Sequence, residues 1–172
     1  GLGMIFVGLG MMSNSLKNCK DIREFLTNLF IKADFPLLLI LIGILVTALF
    51  QSSSAVTGII ITLVSQKVLL ITSALFVILG ANIGTCITAL IATIGATSNA
   101  KRAALIHFLF NITGMIVFTV ICWPLKGQIA KLLLKMSPTS LSMQIAYFHI
   151  FFNVFTTLIL LPFVSVLTKI AM

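Results

Sequence analysis

Apolar residues fill this chain in long blocks, and short polar interruptions set the elements. Residues 1–16 are uncharged and rich in Gly and Met, which predicts the end of a membrane helix. Residues 17–34 mix Lys17, Lys20, Asp21, Arg23, Glu24 and Lys32 with Ile22, Phe25, Leu26, Leu29 and Phe30. That spacing gives one apolar face and predicts an interfacial amphipathic helix. From Pro36 to Gln66 no charge appears. As one straight helix this run would be roughly 46 Å long, against about 30 Å of hydrocarbon. Gln51-Ser52-Ser53-Ser54 interrupts it near the middle, and each half is too short to span. A re-entrant hairpin over 36–66, with its polar tip at mid-depth, accounts for both features.

A second uncharged run follows, from Val68 to Thr97. Its centre, Gly80-Ala81-Asn82-Ile83-Gly84-Thr85, predicts a helix broken within 68–97. The competing reading is a packing seam from Gly80 to Gly84. Lys101-Arg102 close the segment. Residues 103–123 form a plain span, Pro124 to Met136 a short amphipathic helix, Ser137-Pro138-Thr139 a turn, and 144–168 the last span. His107-x-x-Phe110-Asn111 recurs as His149-x-x-Phe152-Asn153. His and Asn at i and i+4 share a helix face, and the repeat suggests a structural hydrogen bond between helix starts. The predicted organisation is therefore 1–34, a helix end plus an interfacial helix, and 35–172, a membrane repeat.

Composition agrees with the pattern. Hydrophobic residues make up 60% of the 172 residues and charged residues 8%, with a mean hydropathy of +1.24. Soluble domains carry about a quarter charged residues, so a soluble enzyme or binding module is excluded. The expected class is an all-α integral membrane protein, multi-pass, in the cell membrane. The net charge of +8 is spread between apolar runs, which fits membrane flanks and not nucleic-acid binding. If 36–66 returns to its own side, one side collects most of the Lys and Arg residues, which favours the hairpin. Cys19, Cys86 and Cys122 have no metal-ligand spacing. The chain opens inside an apolar stretch without Met or a cleavable signal pattern, as a piece of a longer protein would.

The acids are informative by position. Asp21, Glu24 and Asp34 are the only three, and none follows Asp34. A proton-coupled carrier relies on intramembrane Asp, Glu or His; here only His107 and His149 are available. At Gln51–Ser54 a helix restarting near Ala55 would point free N–H groups and its dipole at the midplane, a site for an anion. Serine hydroxyls, the Gln51 carbonyl and Thr47 one turn earlier are neutral oxygens for a cation, as are Asn82, Thr85 and Thr88. Two polar-centred broken segments in succession point to a transporter site. Sodium-coupled anion transport is the reading that results. Small polar residues can also serve only helix packing, so a non-transporting scaffold or regulatory fragment is the alternative, with a passive anion channel as a third. An intramembrane serine protease using one of Ser52–Ser54 with His107 lacks the nucleophile elbow.

Taken in order, Thr47-Ala48-Leu49-Phe50-Gln51-Ser52-Ser53-Ser54-Ala55, Gly80-Ala81-Asn82-Ile83-Gly84-Thr85, Lys101-Arg102-Ala103-Ala104 and His107-x-x-Phe110-Asn111 resemble the type II sodium–phosphate cotransporter family, and in particular its C-terminal repeat. The resemblance implies two inverted repeats, each with a Gln-Ser-Ser-Ser hairpin, holding inorganic phosphate and sodium between them. By resemblance, Gln51, Ser52, Ser53 and Ser54 bind phosphate. Sodium falls to Thr47, Gln51, Ser53, Asn82, Thr85 and Thr88. No catalytic residue, no other metal and no cofactor beyond the coupling ion is implied. The sequence carries one such repeat, so a missing first repeat or a second copy in a homodimer would complete the site.

Overall fold

The computed structural model describes residues 2–21, 24, 28 and 35–170, and among them every regular element is helical. Helix α1 spans Leu2–Asn18, α2 Pro36–Phe50, α3 Ser53–Ser65, α4 Ile71–Ile91, α5 Ser98–Met136 and α6 Leu141–Leu160. A 3-10 turn, Leu161–Phe163, links α6 to α7, Val164–Ile170. The interfacial helix expected over 17–34 lies mostly outside the described residues.

Local chemistry sets the ends of these helices. Pro36 sits in the first turn of α2, where its missing N–H costs nothing. Ser52, Thr97 and Ser140 cap α3, α5 and α6 by accepting from the backbone N–H three residues on, as N-cap hydroxyls do. Helix α3 ends with Lys67 left-handed at φ 56°. Lys67 N–H donates to the Val64 carbonyl at 3.0 Å and Val68 N–H to that of Leu63 at 2.9 Å. This is a Schellman closure, with Leu63 and Val68 buried together as its apolar contact.

Helix α4 is the core. Its residues 73–81, with Ile83, Gly84 and Cys86, are buried. Helix α2 packs on it more extensively than any other pair of elements. Gly43, Gly80 and Gly84 make this approach possible. A Cβ on Gly80 would stand 2.0 Å from the Ile40 carbonyl oxygen, and one on Gly43 2.1 Å from that of Val77. A Cβ on Gly84 would stand 2.5 Å from Thr47 Cβ. From Ile40 at Gly80 to Ile44 and Thr47 at Gly84 both segments advance, with Gly43 seated between Val77 and Ala81, so α2 and α4 run in the same direction. Helix α3 therefore carries the chain back from Gln51 towards the starting end of α2 before α4 begins.

Two expectations are corrected here. The break expected at Gly80–Thr85 is absent, because α4 runs unbroken from Ile71 to Ile91. Its glycines are used for close packing, the seam that competed with the break, and a helix pays only about 1 kcal/mol for each. Nor does a separate short helix begin at Pro124, because α5 runs from Ser98 through Pro124 to Met136. Proline removes one hydrogen bond, to the Val120 carbonyl. Cys122 and Leu133 on either side are buried in the core and hold the helix through. The last span is not uniform either, since Pro162 lies in the 3-10 turn.

Helices Ile71–Ile91 and Ser98–Met136 and the stretch Leu141–Ile170 are each long and apolar enough to cross a membrane. Their outer faces are apolar, for example Ile116, Val120, Ile150, Val154 and Leu158. Helix α5 meets α6 where Gly114 faces Thr156, whose Cγ2 would be 2.4 Å from an added Cβ. Phe118 and Phe152 pack edge to face at 4.9 Å in the same interface.

Gly80→Ala should lower the apparent melting temperature in detergent by several degrees, because overpacking against backbone costs about 1–3 kcal/mol. Gly127→Ala, with open space around it, should leave it unchanged or slightly higher.

Candidate functional site

The polar tip forms where α2 stops and α3 starts. Gln51 takes a left-handed conformation, φ 55° and ψ 22°, with its N–H donating to the Thr47 carbonyl at 2.7 Å. Glycine is the usual residue there, and a side chain costs roughly 1–2 kcal/mol. A glutamine held in this conformation points to a use for its amide. Ser52 is extended. Its hydroxyl accepts from Ala55 N–H at 3.2 Å and shares a hydrogen with the Ser54 hydroxyl at 3.1 Å. Its carbonyl accepts from Val56 N–H at 3.1 Å, closing the first turn of α3. The N–H groups of Ser53 and Ser54 thus have no partner within the helix. Thr57 donates to the Ser53 carbonyl at 2.8 Å. Among the described residues, the Ser53 hydroxyl and the Gln51 amide make no hydrogen bond. Gln51 and Ser54 are exposed, and Ser52 and Ser53 half-buried.

Thr47 lies one turn before Gln51 and is fully buried against Gly84. Its hydroxyl has no hydrogen-bond partner among the described residues. The other expected ligands line up along α4. Thr85 donates to the Asn82 carbonyl at 2.7 Å, and Thr88 to the Thr85 carbonyl at 2.8 Å. The Asn82 amide donates to the Asn111 side-chain oxygen. Asn111 in turn donates to the His107 carbonyl at 2.9 Å. The Cys86 thiol sits over this junction, 3.7 Å from the Asn82 carbonyl and 3.8 Å from His107 Nε2. The structure thus brings Gln51–Ser54 together at the tip and Asn82, Thr85 and Thr88 on α4. Thr47 at Gly84 is the contact that links the two helices. No hydrogen bond among the described residues joins tip and ladder.

The repeated His/Asn motif is an intrahelical lock. Asn153 donates to the His149 carbonyl at 2.8 Å as Asn111 does to that of His107, so the expected bond between helix starts is replaced by one within each helix. In the first copy the lock leaves the Asn111 oxygen free to receive Asn82. The role of Asn111 as partner of Asn82 was not foreseen; the repeat marked it, and only the fold supplied its donor. Among the described residues, no group of three metal-ligating His, Cys, Asp or Glu side chains is present.

The profile of the Na+/Pi-cotransporter family matches residues 4–147. The chain belongs to that family. It is a membrane transport protein and not an enzyme, and sodium-coupled phosphate transport is its general activity. No curated protein and no solved structure gives a significant match. The match takes in the tip, the α2–α4 seam and the Asn82–Asn111 junction together.

Loss of either amide at that junction leaves the other, buried Asn111 or half-buried Asn82, without its partner. Asn111→Ala should destabilise the protein by about 1–3 kcal/mol. A double-mutant cycle with Asn82→Ala, read by unfolding in mixed micelles, should return a coupling energy of roughly 1 kcal/mol. A coupling of zero would remove the amide pair from the account.

Proposed function

We propose that the chain supplies one half of a carrier in which phosphate binds at the α3 N-terminus and sodium beside it. The phosphate ligands are the Ser53 and Ser54 N–H groups, the hydroxyls of Ser52, Ser53 and Ser54, and the Gln51 amide. The partial positive charge of the helix N-terminus favours an anion at this point. Sodium takes neutral oxygens, those of Thr47, Gln51 and Ser53 near the break and of Asn82, Thr85 and Thr88 on α4. A threonine hydroxyl that donates to a carbonyl keeps lone pairs for a cation, and Asn82 keeps its side-chain oxygen.

The observation that carries this reading is the restart of the chain at Ser52. It leaves unspent donors, an unpartnered serine hydroxyl and a strained glutamine in one place. The absence of any carboxylate after Asp34 supports an anionic substrate. The shared direction of α2 and α4 supports a re-entrant α2–α3 pair whose tip lies at mid-depth. At that depth, exposed Gln51 and Ser54 would be costly against lipid. A second polar-tipped half, from a first repeat or a second copy of the chain, covers them and completes the site. Alternating access then consists of the tip and its counterpart opening first to one side and then to the other.

Phosphate uptake into proteoliposomes should require an inward sodium gradient. Ser53→Ala should cut it roughly 10- to 100-fold, the worth of a hydrogen bond to a charged group, with little loss of stability because that hydroxyl has no protein partner. Gln51→Gly should raise stability by about 1 kcal/mol and still depress uptake. Uptake indifferent to sodium would indicate a passive anion channel. A Ser53→Ala protein that loses stability and nothing else would indicate a packing role for the tip.

A further inference from the structure

A groove of about 440 Å³ runs between α5 and α6, far in sequence from the polar tip, and its wall is wholly apolar. Phe118, Ile121, Ile129 and Leu132 line it from α5, and Phe151 and Phe155 from α6. Its position along α5 is distinctive. The uncharged stretch of this helix runs from residue 103 to residue 125, and Lys126, Lys131 and Lys135 follow. The groove starts inside the uncharged stretch, at Phe118, and continues two turns past Lys126. It therefore crosses the level at which the helix passes from hydrocarbon to headgroups, with apolar walls on both sides of that level.

Charge decides what fits there. Lys126 lies one turn from both Cys122 and Ile129, and Lys135 one turn past Leu132, so these two lysines border the groove on α5. Lys131 lies between them in sequence; Lys131 and Lys135 are exposed and Lys126 is half-buried. No acid occurs from Phe35 to Met172, so this end of the α5–α6 pair presents a positive rim beside an apolar slot. A phospholipid of the surrounding bilayer has the complementary form, an acyl chain below an anionic headgroup. Interfacial lysines each add attraction to such a headgroup.

We propose that the α5–α6 groove is a binding site for an anionic phospholipid, with one acyl chain along Phe118, Ile121 and Phe155 and the headgroup among Lys126, Lys131 and Lys135. The site is separate from the phosphate reading and stands whether or not that reading does. Its occupant would cover Leu132 and Phe151, which lie 56% and 39% exposed, and brace α5 against α6 where α5 leaves the membrane.

The test is native mass spectrometry of the whole chain released from nanodiscs of equal phosphatidylglycerol and phosphatidylcholine. Phosphatidylglycerol should remain bound at collision energies that strip phosphatidylcholine, with a preference of roughly fivefold for each lysine engaged. K126Q/K131Q/K135Q, changes at two exposed positions and one half-buried one, should abolish the preference while leaving the helical circular dichroism intact. Leu132→Trp or, at the other end of the groove, Ile121→Trp should expel the retained lipid. Equal retention of the two lipids by the unaltered chain would overturn the proposal. So would phosphatidylglycerol retention unmoved by the lysine changes, or lipid-free chain dimers that the tryptophans disperse, which would assign the groove to a second copy.

Discussion

Everything at the polar tip depends on how closely α2 approaches α4. Lipid supplies no hydrophobic drive for helices to associate, so contact must come from packing and from polar pairs. Here the packing is backbone against backbone at Gly43 and Gly80, and at Gly84 the Thr47 side chain fits against the bare glycine. Neither α2 nor α3 is long enough to cross a bilayer. What fixes them is the seam on α4, a helix buried along most of its length. The seam ends at Thr47 and Gly84, one turn before Gln51. The position where the chain breaks is thus set by the last small-residue contact, and the Gln-Ser-Ser-Ser sequence supplies the chemistry at that position.

The polar groups along α4 follow the rule that backbone and side chains inside a membrane protein must satisfy one another. Thr85 and Thr88 return their hydrogens to the helix, and Asn82 is paired across to Asn111. The Asn111 amide is itself held by the His107 carbonyl, so the side chain that receives Asn82 is already oriented. Against this background the unsatisfied groups are conspicuous. Apart from the Thr156 hydroxyl, which packs on Gly114, they are the Thr47 hydroxyl, the Ser53 hydroxyl and the Gln51 amide, all within seven residues of one another where α2 gives way to α3. Three such groups gathered at one break between helices leave room for ligands.

Much of this was legible in the sequence. The helix–break–helix between Pro36 and Ser65 could be read from a polar tetrad in an uncharged run too long for one span. The membrane class followed from composition. Gly80–Thr85 misled because glycine is suited equally to breaking a helix and to letting another helix approach. Which use applies depends on what lies opposite, and Ile40, forty residues away, is not marked by any local pattern. Pro124 misled in a similar way. A proline ends a helix when local terms decide, but here buried Cys122 and Leu133 carry the helix past it. The His/Asn repeat was visible, and its internal geometry followed from i and i+4 spacing. The donor that reaches Asn111 from α4 was not, since pairing across 29 residues is a property of the fold.

The measurement that tests the central claim most directly is thiol accessibility at the tip. Ser54→Cys in a Cys19→Ser background leaves only the buried Cys86 and Cys122 besides the introduced thiol. Its labelling by a membrane-impermeant maleimide, with the protein in liposomes, should be slowed by phosphate only when sodium is present. Adding Gly80→Ala should abolish that protection by moving α2 off α4. Labelling indifferent to phosphate in both sodium and potassium would contradict a phosphate site at the start of α3. Protection that survives Gly80→Ala would contradict the seam as the feature that positions it.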